Sequence, residues 1–235
     1  MYFSRITLAP TANAQQLART LCQNVYKEHQ ILWQLFADDP DAQRDFLYHQ
    51  VLESGHLKYY LVSKRAPKDP TGVWTIAQPK PYTPKLAPGQ TLIFTLRANP
   101  VITTTGQNGR KQRHDVVMHE KKRMGFNQLS AHERPPLSHL IQTSCSGWLQ
   151  ARGHQNGFSV NPAGVNVEGY RQHTIFIKRK ERPVRYSTVD LAGTLTVTDP
   201  EKFTQALYQG LGKSKAFGCG LLLVKPLPAN TPSDE

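Results

Sequence analysis

Cysteine is scarce. The 235-residue chain has three, Cys22, Cys145 and Cys219, far apart and without a CxxC pair. This argues against a disulfide scaffold and a cysteine zinc site, and it fits a reducing compartment, the cytoplasm. Long apolar runs are missing as well: none approaches the roughly 20 residues of a membrane-crossing helix. The opening MYFSRITLAP lacks a basic segment followed by an apolar one, so no secretory signal is expected. Metal-ligand spacings are absent. The nine histidines form no HExxH, and no compact carboxylate cluster suggests a magnesium site. Acid itself is in short supply. Asp plus Glu number 17 against 29 Lys plus Arg, a formal net charge of +12. That excess points to a polyanionic partner, nucleic acid before membrane.

What is present alternates strands and helices. Tyr2 to Leu8 reads as a short strand, punctuated by Pro10 and Asn13. Leu17, Leu21, Val25, Leu32 and Phe36 recur at spacings of four or seven, so residues 14–36 read as a helix, stopped by Asp38-Asp39-Pro40. Residues 46–53 and 57–63, joined by Ser54-Gly55-His56, read as a hairpin. The proline-rich stretch 67–88 reads as loop around a short strand at 73–77, and 91–99 as a further strand of the first half. In the second half a helix is expected at 137–152 and strands at 158–168, 170–180 and 186–198. A helix follows from Pro200 to about Gln209, capped by Asp199, and then a strand at 220–225. Residues 106–125 carry Arg110, Lys111, Arg113, Lys121, Lys122 and Arg123 and read as a basic linker or mobile loop. The expected fold class is α+β. It has two tandem ferredoxin-like (βαββαβ, RRM-like) domains, residues 1–105 and 126–226, joined by the basic linker at 106–125. The second helix of the first domain is degraded, and residues 227–235 are a disordered tail.

Two clusters carry candidate chemistry. Residues 210–220 read GLGKSKAFGCG, between a helix and a strand. This is no nucleotide-binding loop, because GxxxxGK[ST] needs strand, loop, then helix, and no GxGxxG occurs. Gly210, Gly212, Gly218 and Gly220 can turn several N–H groups one way into an anion site, with Lys213 and Lys215 adding charge. They can equally form a helix C-cap and a bulged start to the next strand. In the first helix, Tyr26 and His29 are three apart and share a face. His29 lies at the edge of the apolar stripe, where histidine is usually structural, but the pair can also supply a proton donor and acceptor to one scissile bond. Without metal spacings, strand scission points to RNA, whose 2′-OH serves as an internal nucleophile. Residues 178–185, KRKERPVR, form either a phosphate-holding hairpin or a solvated turn.

Three stretches, YKEHQILWQLF (26–36), LRANP (96–100) and GLGKSKAFGCGLLLV (210–224), together resemble the CasE family, the CRISPR-repeat endoribonucleases of type I-E Cascade complexes, in the RAMP superfamily. MYFSRITL, RDFLYH (44–49) and VDLAGTLTVTDPEKF (189–203) extend the likeness from residue 1 to about 225; it is loosest at 65–90 and 106–155. The resemblance implies two ferredoxin-like domains and one metal-independent cut at the 3′ base of the repeat stem. It implies 2′,3′-cyclic phosphate and 5′-hydroxyl products, no cofactor, and retention of the crRNA with the other Cascade subunits. It further implies catalytic roles for His29 and Tyr26, and for Lys178 or Lys180 in the basic hairpin. RNA contacts are expected from Arg97, Arg110, Lys111, Arg113, Arg179, Lys213 and Lys215, and from the backbone at Gly210, Gly212, Gly218 and Gly220. The rival expectation is a non-catalytic RNA-binding subunit of a CRISPR complex.

Overall fold

The computed structural model describes residues 1–10, 13–36, 44–106, 108–176 and 182–228. The chain begins with β1 (Tyr2–Leu8), α1 (Ala14–Gln23) and α2 (Val25–Trp33), followed by a 3-10 turn at Gln34–Phe36 and the hairpin β2 (Phe46–Glu53) and β3 (His56–Ser63). Ser54 and Gly55, at φ 51° and 77°, make the two-residue turn whose twist matches its strands. The short strands β4 (Trp74–Ile76) and β5 (Lys80–Pro81) both pair with β1. The antiparallel order is β2-β3-β1-β4. Alternating residues of this sheet, Ile6, Tyr48, Tyr59 and Leu61, pack with Leu21, Leu32, Leu35 and Phe36 from the helical side.

The second sheet opens with β6 (Thr91–Ala98). After it come the hairpin β7 (Val101–Thr105) and β8 (Lys111–Asp115), then α3 (Val116–Arg123), α4 (Leu137–Gln155) and β9 (Phe158–Ser159). β10 (Asn166–Ile175), β11 (Val184–Val197), α5 (Pro200–Gln209) and β12 (Leu222–Pro226) complete it. Its antiparallel order is β10-β11-β6-β12. Its core holds Phe94, Leu96, Leu149, Phe158, Phe203 and Leu207. Asp199 accepts the Lys202 N–H at 3.1 Å and Pro200 takes the first helical position, as the sequence indicates. The two sheets meet along a seam where Leu47, Val62 and Leu221 are buried. Among the described residues no helix is long and apolar enough to cross a membrane.

Several expectations need correction. The stripe read as one helix over 14–36 is two helices. Asn24, at φ −134° and ψ 90°, leaves helical geometry, and its side chain accepts the Lys27 N–H at 3.0 Å to cap α2. The strand near 91–99 does not complete the first sheet, so that unit does not run to residue 105. The place beside β1 is taken by β4, and β6 lies between β11 and β12, burying Leu92, Phe94, Leu96 and Ala98 in the second core. Residues 106–125 are not a linker. They hold β8 and α3, capped by Asp115 through the Met118 N–H at 2.9 Å, and Val116 and Val117 are buried in the second core. Two apolar residues anchor a segment whose charge suggests solvent. The strand expected at 158–168 is broken by a 3-10 turn at Pro162–Gly164, since proline brings no N–H to a ladder.

Candidate active site at the seam

The seam sets one loop of the second sheet against one strand and one helix of the first. After α5 the chain passes through a 3-10 turn at Lys215–Phe217 into β12. Leu211 N–H donates to Gly220 O at 2.8 Å, and Gly220 N–H to Arg97 O at 2.7 Å. Gly210, Gly212, Gly218 and Gly220 all have positive φ. Two positions show why. A Cβ at Gly220 would lie 2.5 Å from Leu211 O, and one at Gly218 would lie 3.0 Å from the Tyr48 ring. The loop therefore packs too closely on itself and on β2 for any side chain. Gly210 follows the last turn of α5 and its N–H donates to Ala206 O at 2.8 Å, which is the C-cap arrangement.

On α2, Tyr26 and His29 stand one turn apart, both half-buried. The His29 ring stacks 6.2 Å from Phe46 and meets Trp33 edge-on at 5.7 Å. Its Nδ1 is buried without a hydrogen-bond partner. Burial first, and then the Arg44 charge, lowers its pKa below the ordinary histidine value. Both effects disfavour the charged imidazolium at this position. Arg44 also acts on Lys215, whose pKa is lowered by burial, by Arg44 and by Lys213, in that order. His29 and Lys215 thus share the field of one guanidinium. The Lys215 ammonium donates to Gln209 O at 2.5 Å, at the end of α5.

A cleft of about 500 Å³ lies beside this site. Arg113 of β8, His173 of β10, Arg185 and Tyr186 of β11 and Lys213 of the loop line it. Arg110 and Lys111 stand exposed on the same hairpin as Arg113. The rings of His173, Tyr186 and Phe217 stack in series at 4.7 and 4.9 Å. Arg97 is engaged elsewhere: Nε and Nη2 donate to the Asp190 carboxylate at 2.7 and 2.8 Å, across the β6–β11 register. Lys178, Arg179 and Lys180 lie outside the described residues. Among those described, no group of three or more His, Cys, Asp or Glu is placed to hold a metal ion.

Sequence reasoning missed Arg44 and Glu28, and took Arg185 only as the end of the basic stretch 178–185. Arg44 gives no periodic signal; it is recognisable only beside Phe46, on which His29 stacks. Arg185 joins the cleft through the register of β11. Glu28 is buried, 4% exposed, and accepts hydrogen bonds from Tyr48 and Tyr59 at 3.1 and 2.9 Å. An acid at apolar spacing between Val25 and Leu32 was its signal.

Fold and site together define an α+β protein with two antiparallel sheets and a half-buried histidine at a basic seam. The chain belongs to the family described as CRISPR associated protein, whose profile it matches over residues 1–226. It is 29% identical over 232 residues to the CRISPR system Cascade subunit CasE of Escherichia coli, covering 97% of this chain and 100% of that relative. Its identity to the CRISPR-associated endoribonuclease Cse3 of Thermus thermophilus is 28% over 238 residues, covering 96% and 100%. Among solved structures, Thermus thermophilus Cse3 bound to an RNA representing a pre-cleavage complex shares the fold at a TM-score of 0.65. That alignment has 24% identity and covers 96% of this chain and 98% of the other.

Proposed function

We propose that this chain is a metal-independent endoribonuclease that cuts CRISPR repeat RNA at the 3′ base of its stem-loop. It then stays on the crRNA in the cytoplasm as a subunit of a Cascade assembly. Family membership and relatives named as a Cascade subunit and an endoribonuclease support this reading. Two ferredoxin-like units carry it, residues 1 to about 81 and 91 to 226. The like order of the two sheets supports that division.

In the reaction the 2′-oxygen attacks the adjacent phosphorus and the P–O5′ bond breaks. The 2′-OH loses a proton and O5′ gains one, leaving a 2′,3′-cyclic phosphate and a 5′-hydroxyl. His29 carries one of these transfers. Its Nδ1 is buried and unpartnered, so exchange falls to Nε2. Tyr26, one turn away, orients the phosphate or takes the complementary transfer. Arg44 and Lys215, with Lys178 or Lys180 of the hairpin, stabilise the phosphorane charge. The stem lies along the cleft, its phosphates held by Arg110, Lys111, Arg113, Arg179 and Lys213, while Arg97 keeps Nη1 for one more. Gly210, Gly212, Gly218 and Gly220 let the loop backbone approach the RNA. A-form RNA hides its major-groove base edges, so recognition leans on shape and backbone.

One observation carries the reading: on α2 the His29 ring, stacked on Phe46 with Nδ1 buried and unpartnered, lies in the field of Arg44, which also acts on Lys215. The test is single-turnover cleavage of a repeat stem-loop in EDTA, repeated with His29→Ala and with a 2′-deoxy residue at the cut site. One cut in EDTA is expected, lost with the deoxy residue and slowed about 10²–10⁴-fold by His29→Ala. Tight binding without wild-type cleavage would leave a binding subunit instead.

A further inference from the structure

Glu28 lies on the inner side of α2, next in sequence to His29. It lines a cavity of about 270 Å³ at the seam together with Tyr48, Arg97, Tyr186, Phe217 and Gly218. Its Oε1 accepts from the Tyr59 hydroxyl at 2.9 Å, and Tyr59 in turn accepts from Gln50 Nε2 at 2.9 Å. Its Oε2 is 3.1 Å from the Tyr48 hydroxyl. That same hydroxyl lies 3.2 Å from Ala216 O in the glycine loop. A phenol has one proton and here it faces two acceptors.

We propose that Glu28 is a positioning residue: through the Tyr48 hydroxyl its carboxyl decides whether the glycine loop is latched to the helix that carries His29. When Glu28 is protonated it donates to Tyr48, and Tyr48 donates to Ala216 O. The chain from helix to loop is then complete and every group in it is satisfied. When Glu28 ionises, the Tyr48 O–H turns to donate to the carboxylate, and Ala216 O loses its donor. The loop that carries Lys213 and Lys215 is released from β2, and those lysines are no longer held in register with His29.

The change falls in a usable range. Burial raises the Glu28 pKa to about 7, against the opposing hydrogen bonds of Tyr59 and Tyr48 and the charge of Arg97. Each element packed around it contributes a group. These are Cys22 from α1, Tyr48 from β2, Tyr59 from β3, Arg97 from β6, Arg171 and His173 from β10, Tyr186 and Asp190 from β11 and Cys219 from the loop. Arg97 alone favours the carboxylate by charge, and it is already paired with Asp190. Tyr48 and Tyr59 are raised well above ordinary tyrosine and stay protonated throughout.

This inference rests on His29 as the catalytic group, so its test includes a readout free of cleavage. The Glu28 carboxyl is followed by carbon NMR, with Glu28→Gln identifying the resonance. A midpoint near 7 is expected, and one at an ordinary carboxyl value near 4.5 overturns the proposal. The second readout is single-turnover cleavage of the repeat stem-loop by wild type and E28Q from pH 6 to pH 8. The amide mimics the protonated acid, so the wild-type to E28Q rate ratio should fall across that range by up to about tenfold, as the protonated fraction does. Tyr48→Phe keeps the ring under Gly218 but removes the hydroxyl, and should abolish the same pH-dependent component. Superimposable profiles for wild type and E28Q overturn the proposal. Cleavage by His29→Ala at the wild-type rate would instead sink the catalytic assignment, leaving the carboxyl titration unaffected.

Discussion

The two sheets run their strands in the same order but are covered differently. The second has α5 between its third and fourth strands, and a core built around Phe94, Phe158 and Phe203. The first has no helix between β3 and β4. What lies against its β2 is a loop of the second: Gly210 approaches Leu47 and Gly218 approaches Tyr48. The lesson is a division of labour. The second sheet supplies most of the apolar burial. The first carries the histidine and is completed by a neighbour, so the candidate site sits where cover is shared rather than self-made.

The largest expected effect separates these two contributions. Phe203→Ala empties a fully buried position of the second core and should cost about 3–5 kcal/mol in urea unfolding. Cleavage per folded molecule should change little. Phe46→Ala in the first core removes the ring on which His29 stacks, and should lower stability and cleavage together. Equal losses of cleavage in both variants would erase the distinction.

The next effect is a pH dependence confined to the first sheet. A carboxyl whose folded pKa is raised binds its proton more tightly in the fold than in the unfolded chain. The stabilisation is fully present below about pH 4.5 and is lost as pH rises through about 7. The difference is on the order of 3 kcal/mol. Urea unfolding at pH 5 and pH 8 should show wild type losing up to that amount relative to E28Q. A constant difference between the two proteins would mean that Glu28 titrates normally.

How much of this was legible follows from what each signal depends on. Local signals read true: alternation placed β1, β2, β3 and β11, and Asp199-Pro200 started α5. The apolar repeat ran straight across Asn24 and hid the break that its side chain caps. The membership of β6 was not legible, because its alternation buries one face equally well in either sheet. Only long-range pairing with β11 and β12 decides it. For the site, the Tyr26/His29 spacing and the glycine loop could be read from the chain. The meeting of His29 with Arg44 and Lys215 could not, since it is created where the two sheets touch.

A smaller effect probes that contact directly. Gly218 has φ +72°, and its Cβ would meet the Tyr48 ring at 3.0 Å. The ring is held by the Tyr48 hydrogen bonds to Glu28 and Ala216 and has little room to yield. Gly218→Ala should cost about 1–3 kcal/mol, combining left-handed strain with the clash. Gly89→Ala offers the matched control, with positive φ but nothing within 4 Å of the added carbon. It should cost only about 1 kcal/mol. A difference between the two measures the seam; equal costs would mean that the loop rides freely over β2.

The smallest effect concerns binding. Arg113 and Lys213 come from different elements of the second half but line one cleft, whereas Arg123, also basic and exposed, is paired with Glu120 at 2.6 Å. If the RNA stem lies in that cleft, log affinity should fall with log salt at about −0.7 to −0.9 per phosphate neutralised. Arg113→Gln and Lys213→Gln should each reduce the slope by about one such step, and the double variant by about two. Arg123→Gln should leave it where it was. Because the slope counts neutralised phosphates rather than total affinity, it separates a lost contact from a distorted fold. An unchanged slope in the double variant would move the stem off this cleft and onto another basic face of the chain.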